Sequence, residues 1–508
     1  MRLSETDAVL VVGAGAMGAG IAQVAAAAGR RVGLYDLRAE APAAAIAGIA
    51  GSLEKLVARG KLAETARRDL VDRLVPVDRL EDFAHAGLVV EAVKEELQVK
   101  QALFVALEAL VAHDAILASN TSSLSITAIA AALKRPERFA GLHFFNPAPM
   151  MALVEVVQGL ATAPEVVEAL VALARAWGKS PVVARSTPGF IVNRVARPYY
   201  AEALRVMQEG AGDPATLDAV MREGAGFRMG PFELMDLIGH DVNFAVTRSV
   251  HDAYFGDPRF TPSLIQQELV DAGRLGRKTG LGFFAYGEGA ARPMVAEAPA
   301  GPRPGLVRAE GPLGSLAPLL SVLRDGGIEV AETAQGPGRL TVDGVALALT
   351  DGRSATERAA EEGLADLVVI DLTLDWRAAR RVAVAPADQA SARAAAVAAG
   401  LFQAAGKSVS ILGDAPGLIA ARTLAMLANE AADAVLQGVA TPEAVDTAML
   451  KGVNYPVGPL AWADAFGARR VVAILDNLAR TYGEDRYRAS ALLRRKAVAD
   501  ARFHPEAR

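Results

Sequence analysis

The sequence contains no cysteine. That excludes a disulfide scaffold, a thiolate metal site and a cysteine nucleophile. A strong charge of either sign is also missing, since 53 Lys and Arg against 58 Asp and Glu leave a net charge of −5. A protein whose main partner is nucleic acid carries a basic excess, so none is expected here. Long apolar runs are absent as well. Stretches such as Val24–Ala28 and Val368–Ile370 fall far short of the ~18–20 residues of a bilayer-spanning helix, and no membrane partner is expected. What is present is 508 residues, 52% hydrophobic and 22% charged. Such a composition buries sizeable cores and excludes global disorder. At roughly 100–200 residues per domain, the length predicts three or four domains.

Residues 8–28 are rich in alanine and valine and could be mistaken for a secretory leader. Glu5 and Asp7 stand where a leader carries positive charge, and glycines interrupt the apolar stretch. The pattern reads instead as a strand at Ala8–Val12, a turn at Gly13-Ala14-Gly15 and a helix from about Ala16 to Ala28. Gly29 closes that helix, and a second strand, Arg31–Tyr35, ends at Asp36. Gly13-x-Gly15-x-x-Gly18 thus follows a strand and opens a helix. Gly13 permits the turn, Gly15 lets the backbone approach a pyrophosphate, and Gly18 lets helix and strand pack closely. The helix N-terminus offers free N–H groups and partial positive charge to phosphates. Asp36 is placed to accept hydrogen bonds from an adenosine ribose and to repel a 2′-phosphate, which favours NAD over NADP; Arg38 weakens that preference slightly.

Ala39–Leu74 reads as a helical hairpin broken near Gly60, with Ser52 and Arg59 about two turns apart on one face. Strand signals follow at Leu88–Glu91, Ala115–Ala118, Ala140–Phe144 and Leu153–Val157, with helical segments between them, notably Glu95–Val111. This alternation predicts a doubly wound α/β sheet, in which ligands sit beyond the carboxyl ends of the strands. Ser119-Asn120-Thr121-Ser122-Ser123, His143 and Glu155 fall at those ends. The chain has only six histidines. An imidazole at a strand end can take a hydroxyl proton while hydride leaves the same carbon, its basicity held near neutral by a carboxylate. Spacing alone equally allows a histidine satisfied within the core, and a serine run that merely caps a helix.

Several motifs together resemble the L-3-hydroxyacyl-CoA dehydrogenases. They are Gly13-Ala-Gly-Ala-Met-Gly18, Val90-Glu-Ala-Val93, Ser119-Asn-Thr-Ser-Ser-Leu124, Gly141-Leu-His-Phe-Phe-Asn-Pro147 and Thr187-Pro-Gly-Phe-Ile-Val-Asn-Arg194. Gly230-Pro-Phe-Glu-Leu-Met-Asp236 and Gly276-Arg-Lys-Thr-Gly-Leu-Gly-Phe283 follow in family order. The resemblance implies that His143 is the general base for the 3-hydroxyl, with hydride passing from C3 to NAD, and that Glu155 orients the imidazole. It implies that Ser122 and Asn193 hydrogen-bond the reacting oxygen. Gly13, Gly15, Met17, Gly18, Asp36, Glu95, Lys100 and Lys278 fall at NAD-contacting positions. Ser52 matches a serine that binds coenzyme A, and Arg59 stands where a relative has lysine, keeping the charge but altering the geometry. No metal is implied. In the family, residues 187–286 correspond to a helical domain that covers the substrate cleft and mediates dimerisation.

Gly287–Gly305, with Pro293, Pro299, Pro302 and Pro304, reads as a linker. Beyond it the chain repeats itself. Pro188-Gly189-x-Ile191-x-x-Arg194 returns as Pro416-Gly417-x-Ile419-x-x-Arg422. Asp218, Met221, Gly224, Gly230, Pro231 and Asp236 return as Asp446, Met449, Gly452, Gly458, Pro459 and Asp464. Carried upstream at constant spacing, Asn193 becomes Ala421, Glu155 becomes Ala383, His143 becomes Asp371 and Ser122 becomes Thr350. Leu306–Val330 reads as a shrunken strand–helix–strand in which Gly311 and Gly314 remain. The second copy is therefore expected to be structural, without a second NAD site.

The expected organisation is an α/β Rossmann-type doubly wound sheet (1–186), an all-helical domain (187–286), a linker (287–305) and a degenerate copy of both (306–412 and 413–508). The expected function is NAD-dependent oxidation of a 3-hydroxyacyl-CoA. The long architecture looks most like the bacterial 3-hydroxyadipyl-CoA or 3-hydroxybutyryl-CoA dehydrogenases of phenylacetate catabolism, and implies a cytoplasmic enzyme. The helical copies are expected to pair as a homodimer or as an intramolecular pseudo-dimer. A sugar-acid dehydrogenase of gulonate type and a non-enzymatic NAD-binding structural protein are the alternatives on the same scaffold.

Overall fold

Short strands buried along their whole length, such as Val9–Val12, Leu88–Glu91 and Ile116–Ser119, require helices on both faces of a sheet. The computed structural model describes residues 7–291 and 293–505; Glu5 lies outside them. The chain divides into two compact units, Met1–Arg194 with Gln437–Val453, and Val195–Leu436 with Asn454–Arg508.

In the first unit the strands are β1 (Val9–Val12), β2 (Val32–Tyr35), β3 (Leu74–Val77), β4 (Leu88–Glu91), β5 (Ile116–Ser119), β6 (Phe139–Phe144), β7 (Leu153–Gln158) and β8 (Ser180–Arg185). They form one sheet in the order β3-β2-β1-β4-β5-β6-β7-β8. Helices α1 (Ala16–Ala27), α2 (Ala41–Ala58), α3 (Glu64–Val71) and α4 (Leu97–Leu110) connect the earlier strands. The glycine turn, the α2–α3 hairpin and the strand ends lie where the sequence pattern put them. Two strands were not foreseen. β3 takes over the end of the expected hairpin, and it tolerates Pro76 because it is an edge strand. β8 is the opposite edge and contains Pro181, which hides its alternation. α2 is the one described helix long and apolar enough to cross a membrane. Its Ile49 and Leu53 belong instead to the core beneath β1 and β2.

Pairing is parallel from β3 through β6, but β6 and β7 run antiparallel, with His143 directly opposite Glu155. That register explains why the two residues, twelve apart in sequence, share one site. The helix Pro442–Gly452, drawn from the repeat, packs on β7 and β8. Arg185 N–H on the β8 edge donates to the Val439 carbonyl at 2.8 Å.

In the second unit, β9 (Leu306–Glu310), β10 (Glu329–Thr333), β11 (Arg339–Val342), β12 (Val345–Leu349), β13 (Leu367–Ile370), β14 (Arg381–Pro386) and β15 (Ser408–Ile411) form a sheet ordered β10-β9-β11-β12-β13-β14-β15. The stretch of α2, α3, β3, β4 and α4 that separates β2 from β5 in the first sheet is absent. A hairpin replaces it: β11 and β12 join through Asp343 and Gly344, both left-handed at φ 47° and 83°. This shortening breaks the constant spacing upstream. On β12 the register moves by one. Ser119 opposes Gly141 in the first sheet, and Ala348 opposes Val369 in the second, so the counterpart of Ser122 is Asp351 rather than Thr350.

Downstream the spacing holds. Asp371 N–H donates to the Ala383 carbonyl at 2.9 Å, reproducing the His143–Glu155 opposition with neither functional residue. The Asp371 carboxylate accepts N–H groups of Leu372, Ile419, Ala420 and Ala421 at 2.7–3.1 Å. Burial pushes this carboxyl up to about 6 against the pull of those donors. Near the shrunken glycine loop, a Cβ on Gly314 would lie 2.5 Å from the Arg470 guanidinium. The room that glycine leaves is thus used by protein. The segment 293–305 forms no helix or strand, yet it is tied down by Ala298 N–H to Val409 O and Gly301 N–H to Gln403 Oε1, both 2.8 Å.

The two helical copies meet within the second unit, where helix Arg197–Gln208 packs on Ala420–Leu436. Buried Glu202 accepts from Arg422 Nε at 2.7 Å and from the Tyr487 hydroxyl at 2.9 Å, with Arg486 at 3.5 Å. On the equivalent side, Arg259 lies 3.3 Å from Glu430 and 2.6 Å from Asp433. Helix segment Val220–Gly224 packs on β14, as its repeat Pro442–Gly452 packs on β7 and β8. Such reciprocity is the signature of an isologous interface.

Burial alone would push the Glu202 carboxyl up, but Arg422 and Arg486 outweigh it and hold the group below its usual range. Its stabilising charge is therefore complete above the ordinary glutamate range and is lost as pH falls through the depressed value. Glu202→Gln removes the carboxylate that buried Arg422 and Arg486 share, leaving Arg422 to Glu209, and is expected to cost ~3–5 kcal/mol at neutral pH. Thermal unfolding against pH should show the gap between variant and wild type closing only below about pH 4.5.

Candidate active site

The glycine turn connects β1 to α1. Gly13 has φ 109°, and a Cβ there would lie 2.5 Å from the Ala92 carbonyl oxygen. A Cβ on Gly18 would lie 1.8 Å from the Gly13 carbonyl oxygen, so both glycines are demanded by packing. Gly15 is different. It has ordinary φ −72°, and an added Cβ would meet no protein atom within 4 Å. The fold does not need glycine there; the approach of a ligand to the first turn of α1 does. Met17, in that turn, packs against the core. Asp36, at the tip of β2, accepts from Ala14 N–H at 2.8 Å and from Arg38 Nε at 3.1 Å. Its weak burial would raise the carboxyl, but the Arg38 and backbone hydrogen bonds hold it lower. These residues fit a dinucleotide whose ribose meets a carboxylate.

A polar chain runs beneath the β4 and β5 ends. Glu91 closes β4 and is fully buried; it accepts from Lys100 Nζ at 2.5 Å, Ser119 Oγ at 2.6 Å and Val93 N–H at 2.6 Å. Lys100 also lies 3.2 Å from Glu95. Glu95 in turn accepts from Thr121 Oγ1 at 2.6 Å, Ser122 N–H at 2.9 Å and Ser123 N–H at 3.0 Å. Burial pushes the Glu95 carboxyl up, and Lys100 with the serine-loop donors brings it below its usual value. Lys100 is 1% exposed, so its ammonium serves Glu91 and Glu95, and Glu95 anchors the loop that carries Ser122. The capping role falls outside the serine run, to Ser125, whose Oγ accepts from Ala128 N–H. Asn120 Oδ1 accepts from Phe144 N–H at 2.8 Å, tying this loop to the β6 end. The sequence reading singled out neither Glu91 nor Asn120 individually. An acid ending the apolar run Leu88-Val-Val-Glu91 was the available signal.

His143 is 5% exposed. Its Nδ1 lies 2.6 Å from Glu155 Oε2, and the other carboxylate oxygen accepts Ile191 N–H at 3.1 Å and Val192 N–H at 3.0 Å. With a carboxylate at Nδ1, the proton belongs there and Nε2 keeps its lone pair. No described residue hydrogen-bonds Nε2. The ring packs between Phe145 and Phe190, centroids 4.5 and 5.8 Å away. Phe190 holds a left-handed backbone at φ 46° after Gly189 at 73°, a strained pair that opens the helix bearing Asn193. Asn193 Nδ2 donates to the Ser122 carbonyl at 3.4 Å. Ser122, His143, Glu155 and Asn193 are thus brought together in one unit. A second buried pair, His240 Nε2 with Asp236 at 2.7 Å, differs because Gln266 stands at its other nitrogen; it reads as a core histidine.

Ser52 and Arg59 both stand exposed on and just after α2, and Ser52 Oγ donates to the Ile49 carbonyl. Lys278 belongs to the second unit, where it pairs with Asp241.

Residues 8–187 match the model described as 3-hydroxyacyl-CoA dehydrogenase, NAD binding domain. Residues 189–286 and 417–503 both match its C-terminal domain, and 347–416 match a 3-hydroxybutyryl-CoA dehydrogenase reduced Rossmann-fold domain. The chain is 48% identical over 97% of its length to a 3-hydroxyadipyl-CoA dehydrogenase of Escherichia coli, covering 98% of that protein. It is 44% identical to the human mitochondrial hydroxyacyl-coenzyme A dehydrogenase over 55% of this chain and 90% of that one. A crystal structure of an Escherichia coli 3-hydroxybutyryl-CoA dehydrogenase matches with TM-score 0.89 and 47% identity, covering 98% of this chain and 99% of that one.

The contrast among the glycines is testable. Gly15→Ala should leave thermal stability within ~1 kcal/mol of wild type while weakening NAD binding by about tenfold or more, read by calorimetry. Gly18→Ala should instead cost ~1–3 kcal/mol of stability.

Proposed function

The chain belongs to the 3-hydroxyacyl-CoA dehydrogenase family, and from that premise we propose that it oxidises (S)-3-hydroxyacyl-CoA to 3-oxoacyl-CoA with NAD. Substrates of the 3-hydroxyadipyl-CoA or 3-hydroxybutyryl-CoA type fit this reading. The observation that carries it is the His143 imidazole, held by Glu155 through Nδ1, with the same carboxylate fixing the start of the helix whose Asn193 bonds the Ser122 loop.

NAD, bound at the Gly15 turn, supplies the hydride acceptor. His143 Nε2 takes the 3-hydroxyl proton, and the Glu155 carboxylate stabilises the imidazolium that results. The Ser122 hydroxyl and Asn193 amide hold the reacting oxygen, and in the reverse direction they stabilise its developing charge together with the protonated imidazole. The packing of the protein around the ring keeps it from rotating away, since Phe145 and Phe190 flank it. Glu95, supported by Lys100, positions the Ser122 loop. Ser52 and Arg59 are assigned to coenzyme A, and Lys278 to NAD. The second copy, with Asp371, Ala383 and Ala421 at the equivalent positions, performs no chemistry. It supplies within one chain the helical packing that a partner subunit would otherwise give.

Mixing the protein with NAD and 3-hydroxybutyryl-CoA or 3-hydroxyadipyl-CoA should generate NADH absorbance; inertness toward every 3-hydroxyacyl-CoA would sink the proposal. His143→Ala should lower kcat by ~10²–10⁴ with NAD binding intact. Glu155→Gln should be comparably damaging. Its carbonyl oxygen can still accept the backbone N–H groups, but an amide N–H turned to Nδ1 favours the tautomer that protonates Nε2. Loss of NAD binding in either variant would instead mark a misassigned residue.

A further inference from the structure

The strand-to-helix turn of the second copy keeps Gly311 and Gly314 but no longer suits a dinucleotide. A Cβ on Gly311 would lie 2.2 Å from the Gly336 carbonyl oxygen, so a protein loop fills that space. β10 pairs with β9 as β2 pairs with β1. It ends at Thr333 and is followed by Ala334, where β2 is followed by Asp36. No acid stands there for a ribose. What remains is a helix start, Gly314–Leu316 running into Ala317–Asp325, with no acidic residue in its first turn.

The Arg470 guanidinium lies on that helix start. Its Nη1 donates to Ser315 Oγ at 3.1 Å, and a Cβ on Gly314 would lie 2.5 Å from its Nη2. No carboxylate among the described residues lies within ion-pair distance of Arg470. A cation against the positive end of a helix has the wrong sign, and an anion between the two answers both. Arg470 and Gly314 line a cavity of about 600 Å³ that lies wholly within the second unit. Thr373 lines it too. It is 6% exposed, and its hydroxyl has no hydrogen-bond partner among the described residues. A buried hydroxyl is costly to leave unpaired. The other charged group on the wall is Asp375, whose carboxylate accepts from Arg377 N–H at 2.8 Å and Ala378 N–H at 3.1 Å. It disfavours a ligand with a second anionic end. Trp462 and Phe466, stacked with centroids 5.0 Å apart, give the cavity an apolar side. The volume is that of a small-molecule site, more than an inorganic ion needs.

We propose that this cavity binds an organic phosphate monoester. The phosphate meets Arg470, the helix start and the Thr373 hydroxyl, and an uncharged body lies along Trp462 and Phe466. Three kinds of donor suit the three terminal oxygens of a phosphate better than the two of a carboxylate. The site lies outside the dehydrogenase reading and does not depend on it.

Two of the chain's three tryptophans, Trp376 and Trp462, line the cavity, and Trp177 belongs to the core of the first unit. Intrinsic fluorescence therefore reports on this cavity. With NAD saturating the first copy, phenyl phosphate should change tryptophan emission, with a Kd that calorimetry reproduces. Arg470→Gln should weaken that binding by about tenfold or more, and Thr373→Val by about fivefold. Arg470 is exposed, so its replacement should leave thermal stability near wild type. Unchanged emission with phenyl phosphate, or a Kd that Arg470→Gln leaves unaltered, would overturn the proposal. Inorganic phosphate binding as tightly would also overturn it, since the body would then contribute nothing. So would phenol binding as tightly, since the phosphate would then contribute nothing.

Discussion

The site depends on one carboxylate. Glu155 occupies a position where three elements meet: the antiparallel strand pair that sets it opposite His143, the imidazole itself, and the start of the helix bearing Asn193. One oxygen fixes the tautomer of the imidazole, and the other fixes the start of the helix that carries Asn193. Because the group is buried with every oxygen engaged, no part of this arrangement can shift alone. The switch from parallel to antiparallel pairing at β6 and β7 is what makes it possible. In a purely parallel sheet, a residue twelve positions on would lie beyond a crossover rather than across a ladder.

The degenerate copy shows which part of that arrangement the fold itself requires. It has lost the imidazole and the glutamate, yet a carboxylate still receives the helix start, now from Asp371 on the neighbouring strand. The same left-handed pair precedes it, Gly417 and Leu418 at φ 75° and 49°, as Gly189 and Phe190 do in the first copy. Anchoring the helix is a structural necessity that either strand can meet. Pairing the anchor with a histidine is what the first copy adds. Reading Asp371 only as a lost histidine therefore missed its role.

Much of the first sheet was legible because its strands are continuous apolar runs ended by glycine or polar residues. His143 and Glu155 were visible as strand-end residues, and the repeat spacing was visible because the helical copies carry no insertions. Register was not legible, since nothing in residues 139–158 announces a reversal of direction. Nor was the burial of Lys100. A lysine in an amphipathic helix pattern reads as exposed, and only the three-dimensional neighbourhood of Glu91 and Glu95 makes a buried ammonium affordable. The one-residue slip at Thr350 arose because a hairpin replaced a crossover of several elements, a change of topology that leaves almost no compositional trace.

The surplus length follows from what the first copy leaves uncovered. β8 is an edge strand, and edge strands present unpaired backbone groups that invite association. The chain meets that liability with its own repeat, through Val439 on the β8 backbone and Pro442–Gly452 across β7 and β8. The converse contacts are Val220–Gly224 on β14 and Gly413 N–H to the Ala211 carbonyl at 2.8 Å just past the edge strand β15. A copy retained for this purpose must keep its helix starts, its buried arginine Arg422 and its strand pairing. It has no use for a base, an oxyanion donor or a nucleotide loop. That division between retained and discarded residues is the one observed, and it explains why the second copy keeps its helical part whole while its sheet part is reduced.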